Sequence, residues 1–234
     1  MLDCVFNHPN TPPFVALRMI RALVMSNPSP AYVQRIATVF ANNGTGVRGD
    51  LKAVTRAILL DPEARQDTAT PTTGRLKDPV YLYVSFIRNM GGSISASNLI
   101  AWVFDRMGQS ILTPPSVFGY YSPLYRLPGN PSLAGPEFQI YTPTESIVLG
   151  NELWQIISNP GGDPSINMVP FETAAGQGTA QLLDLINARF YYGRMPAGLR
   201  TSLSNAVAAG YDAKQRAQTA VYLAALSGLY AVQY

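Results

Sequence analysis

Proline and glycine cut this chain into pieces of helical length, and that punctuation limits its fold more than any other feature. Proline lacks a backbone N–H, so it suits the first turn of a helix or the break between two elements. Pro12 and Pro13 open a helix predicted to run to about Met25. That helix is apolar nearly all round, with Arg18 and Arg21 on one stripe, which predicts that most of it is buried. Ser29-Pro30 reads as an N-cap and a first-turn proline. Val33, Ile36, Ala37 and Phe40 follow at helical spacing, and Gly44 ends the run. Asp50 caps a third helix with Leu51, Val54 and Ile58 inward, and Asp61-Pro62 stops it.

Residues 66–77 are polar and Thr-rich and read as a mobile connector. Asp78-Pro79 starts a helix through Met90, and Ser97 caps another over about 98–107. Residues 112–143 carry Pro114, Pro115, Pro123, Pro128, Pro131, Pro136 and Pro143 among tyrosines and phenylalanines, a long irregular loop of the kind that is functional or wrapped over a core. Helices resume at about 144–158, 179–191, 199–209 and 212–230. The expectation is an all-α, irregular multi-helix bundle of about eight or nine helices, one domain over 1–234, with the Pro/aromatic loop across it.

Composition removes several classes of function. Charged residues make up 13% of the chain, about half the roughly 25% of ordinary soluble domains. Such a surface is covered, polar without charge, or exposed outside the cell. The 17 basic residues are spread thinly and form no run, which argues against nucleic acid as a partner. Cys4 is the single cysteine and His8 the single histidine, so an internal disulfide, a multi-thiolate zinc site and a three-histidine site are excluded. No metal ligand set and no cofactor is predicted. The longest apolar stretch, Thr219 to Val232, is interrupted by Ser227 and Gly228 and falls short of the roughly 20 residues of a membrane span. The start, Met1-Leu2-Asp3-Cys4-Val5-Phe6, has neither the basic region nor the cleavage site of a signal peptide.

The order of motifs in the first 65 residues is specific. Leu2-Asp3, Phe6-Asn7-His8-Pro9, a helix through Arg18 and Arg21, and Ser26-Asn27-Pro28-Ser29-Pro30 come first. After the second helix follow Gly46-Val47-Arg48-Gly49-Asp50-Leu51 and Ile58-Leu59-Leu60-Asp61-Pro62-Glu63-Ala64-Arg65. Met107-Gly108-Gln109-Ser110-Ile111-Leu112-Thr113-Pro114-Pro115-Ser116-Val117-Phe118-Gly119 and Pro136-Glu137-Phe138-Gln139 continue it. This order resembles the DUF1800 proteins, a bacterial family of unknown function, closely over about 1–155 and loosely beyond. Members of that family are typically much longer, with the similar motifs in their C-terminal half. The resemblance therefore implies that this chain is a fragment, a truncated reading frame or a short relative. It also implies an exported parent protein, although no export signal is present here. Truncation would uncover apolar helix faces, which predicts a homo-oligomer.

Each candidate for chemistry has a plainer structural reading beside it. Gly44-Thr45-Gly46-Val47-Arg48-Gly49 matches G-x-G-x-x-G, but a helix precedes it and Asp50 sits where a phosphate would be received, which points to a helix–loop–helix connector. His8 is the one ordinary general base, against a role in the turn entering the next helix. Cys4 beside His8 could act as a nucleophile, against apolar filler. Arg18, Arg21, Arg48 and Asp50 are expected to form a polar cluster in which Asp50 supplies a structural ion pair, against a clamp for a ligand carboxylate or phosphate. Carboxylates of the loop-rich centre, Asp105, Glu137, Glu145 and Glu152, could flank a glycosidic bond, against capping and solvated roles. The catalytic candidates are thus His8, Asp50, Glu137 and Glu145. Tyr120, Tyr121, Tyr125 and Trp102, with Trp154 nearby, could offer flat faces to a ligand, against packing of the loop. The expectation is a non-catalytic scaffold or binding module for a polysaccharide or a partner protein. The alternative is a metal-independent hydrolase, a glycosidase or an esterase.

Overall fold

The structure, a computed structural model, describes residues 1–66, 70, 72–95 and 98–233, and of 98–101 the backbone only. The proposed cap Ser97 and part of the 66–77 connector lie outside the described residues. Twelve α-helices appear among the described residues, and the fold is all-α with a few very short strands. The count exceeds the expected eight or nine for three reasons. The first residues form a short helix of their own. Val169–Gln177 forms a helix that Pro170, Gly176 and the flanking Gly178 mask in the sequence. The last predicted helix breaks at Ser227, whose side chain accepts the Tyr230 N–H and starts a new turn.

The chain forms two compact units. The first comprises residues 1–76 with 123–136 and Gln233. It contains α1 (Leu2–Asn7), α2 (Thr11–Leu23), α3 (Pro30–Ala41) and α4 (Leu51–Leu60). Ala16, Ile20, Tyr32, Ile36, Ala37, Phe40, Val54 and Ile58 make its core. Two expectations about this core are corrected. α2 packs on α3 and α4 along one stripe, Pro12, Ala16 and Ile20, and leaves Phe14 and Leu23 exposed, so it is not largely buried. On α4 the inward stripe is Val54 and Ile58, while Leu51, at the first helical position, is exposed.

Polar side chains close this core. The Ser29 hydroxyl caps α3 by accepting the Tyr32 N–H at 3.1 Å. Both Ser29 groups in turn donate to Glu63, the N–H at 2.8 Å and the hydroxyl at 2.6 Å. Arg35 binds Asp61 with both arms of its guanidinium at 2.7 Å, the fork geometry that carboxylates favour. The buried Tyr32 hydroxyl donates to the Ile58 carbonyl at 2.7 Å, and burial, with Asp61 and Glu63 adding, raises its pKa. Asn27 acts as a strand surrogate: its amide donates to the Ala134 carbonyl at 2.9 Å and its Oδ1 accepts the Ala134 N–H at 2.7 Å. Ala134 belongs to an antiparallel hairpin, Arg126–Leu127 with Asn130–Ala134, so the 112–143 segment is not irregular throughout.

The second unit comprises residues 77–122 and 137–232. Its helices are α5 (Pro79–Asn89), α6 (Asn98–Arg106), α7 (Pro143–Ser158), α8 (Val169–Gln177), α9 (Thr179–Tyr191), α10 (Ala197–Ala208), α11 (Ala213–Leu226) and α12 (Gly228–Ala231). α11 is the hub, touching α7, α8, α9 and α10. Its buried residues are Ala217, Ala220, Val221, Ala224 and Ala225, and such small side chains let several helices approach one axis closely. Phe190 anchors the aromatic part of the core, with the Phe86, Phe171, Tyr191 and Tyr230 rings around it. No helix among the described residues is long and apolar enough to cross a membrane.

Lys77 enters this unit and makes no ion pair among the described residues. Its ammonium donates to the Tyr230 carbonyl at 2.6 Å and lies 3.9 Å from the centre of the Tyr230 ring. Burial lowers its pKa to about 8. The unfolded amine titrates near 10.4, so between these values the unfolded chain binds more protons and stability rises with pH. Urea unfolding midpoints should therefore gain a rising component from about pH 8 to about pH 10 that Lys77→Met removes. An identical pH slope in wild type and variant would show that this amine is not desolvated.

Candidate functional site

The glycine-rich loop between α3 and α4 is built by its own asparagines. The Asn42 Oδ1 accepts the N–H groups of Gly44 and Gly46 at 2.9 and 3.0 Å. The Asn43 Oδ1 accepts those of Thr45 and Val47 at 2.9 and 3.2 Å. The donors that would cradle a phosphate are thus turned inward and occupied. Asp50 caps α4 by accepting the Ala53 N–H at 3.1 Å, and takes the Asn43 amide at 2.8 Å. These two bonds hold its carboxyl below its ordinary pKa.

Among the described residues the expected ion pair between Asp50 and an arginine of this cluster is not formed. Arg48 instead grips the end of α1, donating to the Phe6 carbonyl at 3.1 and 3.0 Å and to the His8 carbonyl at 3.3 Å. Its guanidinium also lies over the Phe6 and Phe40 rings. The carbonyls at a helix C-terminus lack partners and carry partial negative charge, which gives an arginine a better seat than a carboxylate already used as a cap. Gly49 makes room for this arrangement. Its φ is +75°, and a Cβ there would come within 2.7 Å of the Phe6 ring.

The catalytic candidates are scattered. His8 is exposed, and its Nδ1 accepts the Asn10 N–H at 3.1 Å in the turn entering α2. Cys4 is an exposed free thiol. It lines, with Val5, His8, Asn10, Thr11 and Phe14, an open concavity of about 220 Å³ on the first unit. Glu137 is buried in a short 3-10 turn, Pro136–Gln139. Glu145 stands in the first turn of α7, half-buried, with Gly108 beside it. Asp105 accepts the Ser110 hydroxyl. Glu152 is buried and paired with Arg106 at 2.9 Å. Among the described residues no three histidine, cysteine or acidic side chains gather as a metal would require.

The ligand candidates divide differently. Tyr120 and Tyr121 are half-buried, and their hydroxyls bond inward, to the Ser110 carbonyl and to the Asp78 carboxylate at 3.4 Å. Tyr125 is half-buried in the other unit, where its carbonyl accepts the Gly135 N–H. Trp102 is exposed and stacks under Arg106, 4.7 Å from its ring centre. Trp154 packs edge-on against Tyr222. The loop residues that face solvent most fully lie outside this aromatic set. Leu112 is 90%, Val117 96% and Phe118 68% exposed. Their signal in the sequence is the absence of any charged residue from Met107 to Tyr125.

The family model described as "Protein of unknown function (DUF1800)" matches residues 1–232, well beyond the 1–155 over which the motifs were close. The chain belongs to this family. No curated protein and no solved structure matches it.

The loop geometry makes a stability prediction. Gly49→Ala should cost about 1–3 kcal/mol, through a left-handed φ and the clash with Phe6. Gly44→Ala, also at positive φ but with open space around it, should cost less. Thermal or urea denaturation of the two variants measures the difference. Equal losses would mean that Phe6 is not seated on Gly49.

Proposed function

We propose that the chain is a non-catalytic binding module whose contact element is the uncharged loop within 107–122, docking through Leu112, Val117 and Phe118 onto a partner protein. The observation that carries this reading is the exposure of three large apolar side chains on one loop without a charge. Interface cores are depleted of charged residues and enriched in aromatic ones, and an apolar tip loses area to water only when a partner covers it. The loop is braced for such a role. The Phe118 N–H donates to the Ser116 hydroxyl at 3.1 Å and the Gly119 N–H to the Ser116 carbonyl at 3.1 Å, while Tyr120 and Tyr121 tie its far end down. A pre-set loop pays less ordering entropy on binding.

A protein partner fits better than a polysaccharide, because sugar rings stack on flat aromatic faces and the tip offers mainly aliphatic ends. The hydrolase alternative has weaker support: Cys4 and His8 share an open concavity, but His8 and Asp50 serve backbone groups, and Glu152 pairs with Arg106.

The test is the double variant Val117→Ser, Phe118→Ser in the full chain. A protein captured from native extract, then purified, should bind wild type in a saturable isotherm and the variant at least tenfold more weakly, with unfolding unchanged. Equal affinity would reject the loop. Loss in the variant of a wild-type dimer seen by light scattering would make a second copy the occupant. Turnover of chromogenic glycosides or esters that disappears in His8→Ala or Glu137→Gln would replace this reading with the hydrolase.

A further inference from the structure

The tip of the docking loop departs from a backbone rule. The Thr113 N–H donates to the Ser110 carbonyl at 3.3 Å and closes a four-residue turn, Ser110-Ile111-Leu112-Thr113. Leu112, the third residue of that turn, has a φ of +62°, and Ile111 before it is not at positive φ. A positive φ confined to the third residue is the pattern of a type II turn, where glycine or asparagine is the usual occupant. A branched side chain at that φ strains its own backbone.

The turn is held in this form from both sides. The Ser110 carbonyl also accepts the Thr113 hydroxyl at 3.3 Å and the Tyr120 hydroxyl. The Ser110 hydroxyl in turn donates to Asp105, in the last turn of α6. Leu112 is therefore unfavourable to the free chain twice over: its backbone is strained, and its side chain is 90% exposed to water. Val117 and Phe118 share only the exposure. Asparagine at position 112 would relieve both terms, so the fold gives no reason for leucine there.

We infer that Leu112 is the anchor of the docking loop, a single side chain that enters a leucine-sized apolar pocket on the partner protein. This rests on the docking reading and narrows it: the partner offers a closed pocket with an uncharged rim, in place of a flat apolar face. Strain that the surrounding structure holds in place is characteristic of ligand clamps. Binding energy concentrates in side chains that fill pockets, and a clamped turn loses little freedom on docking. Ser110, Ile111, Thr113 and Pro114 around the anchor carry no charge, which sets the character of the rim.

Two substitutions separate the backbone of Leu112 from its side chain. Leu112→Ala keeps the strain and removes the anchor; Leu112→Asn removes the anchor and relieves the strain. In the free chain Leu112→Asn should melt higher than wild type, and Leu112→Ala should melt with it. Binding to the protein captured from native extract and purified should weaken at least tenfold in both variants. Leu112→Met, which refills the pocket, should stay within about threefold of wild type. A lower melting temperature for Leu112→Asn, or undiminished affinity in Leu112→Ala, would overturn the inference. The double variant Val117→Ser, Phe118→Ser tells the two readings apart. If it binds weakly while Leu112→Ala binds as wild type does, the loop docks without this anchor; if neither is weakened, the loop does not dock at all.

Discussion

The turn after α4 is tied back to the start of α3 by two carboxylates, and the first unit depends on that tie. Asp61 holds Arg35 in a two-armed contact at 2.7 Å while its Oδ1 also accepts the Glu63 N–H at 2.9 Å. Glu63 holds both donors of Ser29, the residue that caps α3. Burial pushes the Asp61 carboxyl up, but its bonds to Arg35 and Glu63 outweigh that and leave it below its ordinary value. The apolar core between these helices is small, so fixing where α3 begins and where α4 ends sets how Tyr32, Ile36, Val54 and Ile58 meet.

The same economy runs through the other family motifs. Arg48 satisfies the end of α1, Asp50 the start of α4, and Asn42 and Asn43 the loop between. Asn27 pairs with a hairpin as a strand would. In a chain with 13% charged residues, most of the polar side chains in these motifs are bonded to backbone. They define how the chain folds, which is a different matter from what it binds. The binding reading accordingly rests on a single element, an uncharged loop with an exposed apolar tip.

Much of this was legible in the sequence, because capping is local. Ser29, Asp50 and Asp78 each accept the N–H three residues on, as a cap must, and the prolines after Ser29 and Asp78 sit in the first turn. Local rules failed where a partner came from far along the chain. Nothing in Arg48 or Asp50 alone says that a helix end forty residues earlier would take the guanidinium. Helical periodicity overstated the burial of α2 because it counts apolar residues without knowing how many helices cover them. Chemistry alone makes Tyr120 and Tyr121 candidate ligand faces, whereas their hydroxyls are bonded inward and Leu112, Val117 and Phe118 are the more exposed side chains. Exposure depends on tertiary packing, and only the run without charge hinted at it.

A double-mutant cycle on Arg35 and Asp61, read by urea denaturation, tests the central claim most directly. With Arg35→Met, Asp61→Asn and the two combined, the account predicts that the double variant loses clearly less than the sum of the single losses, since either change alone breaks the contact and leaves the other group unpaired. Strict additivity would contradict it: the two side chains would then be neighbours that do not hold the turn.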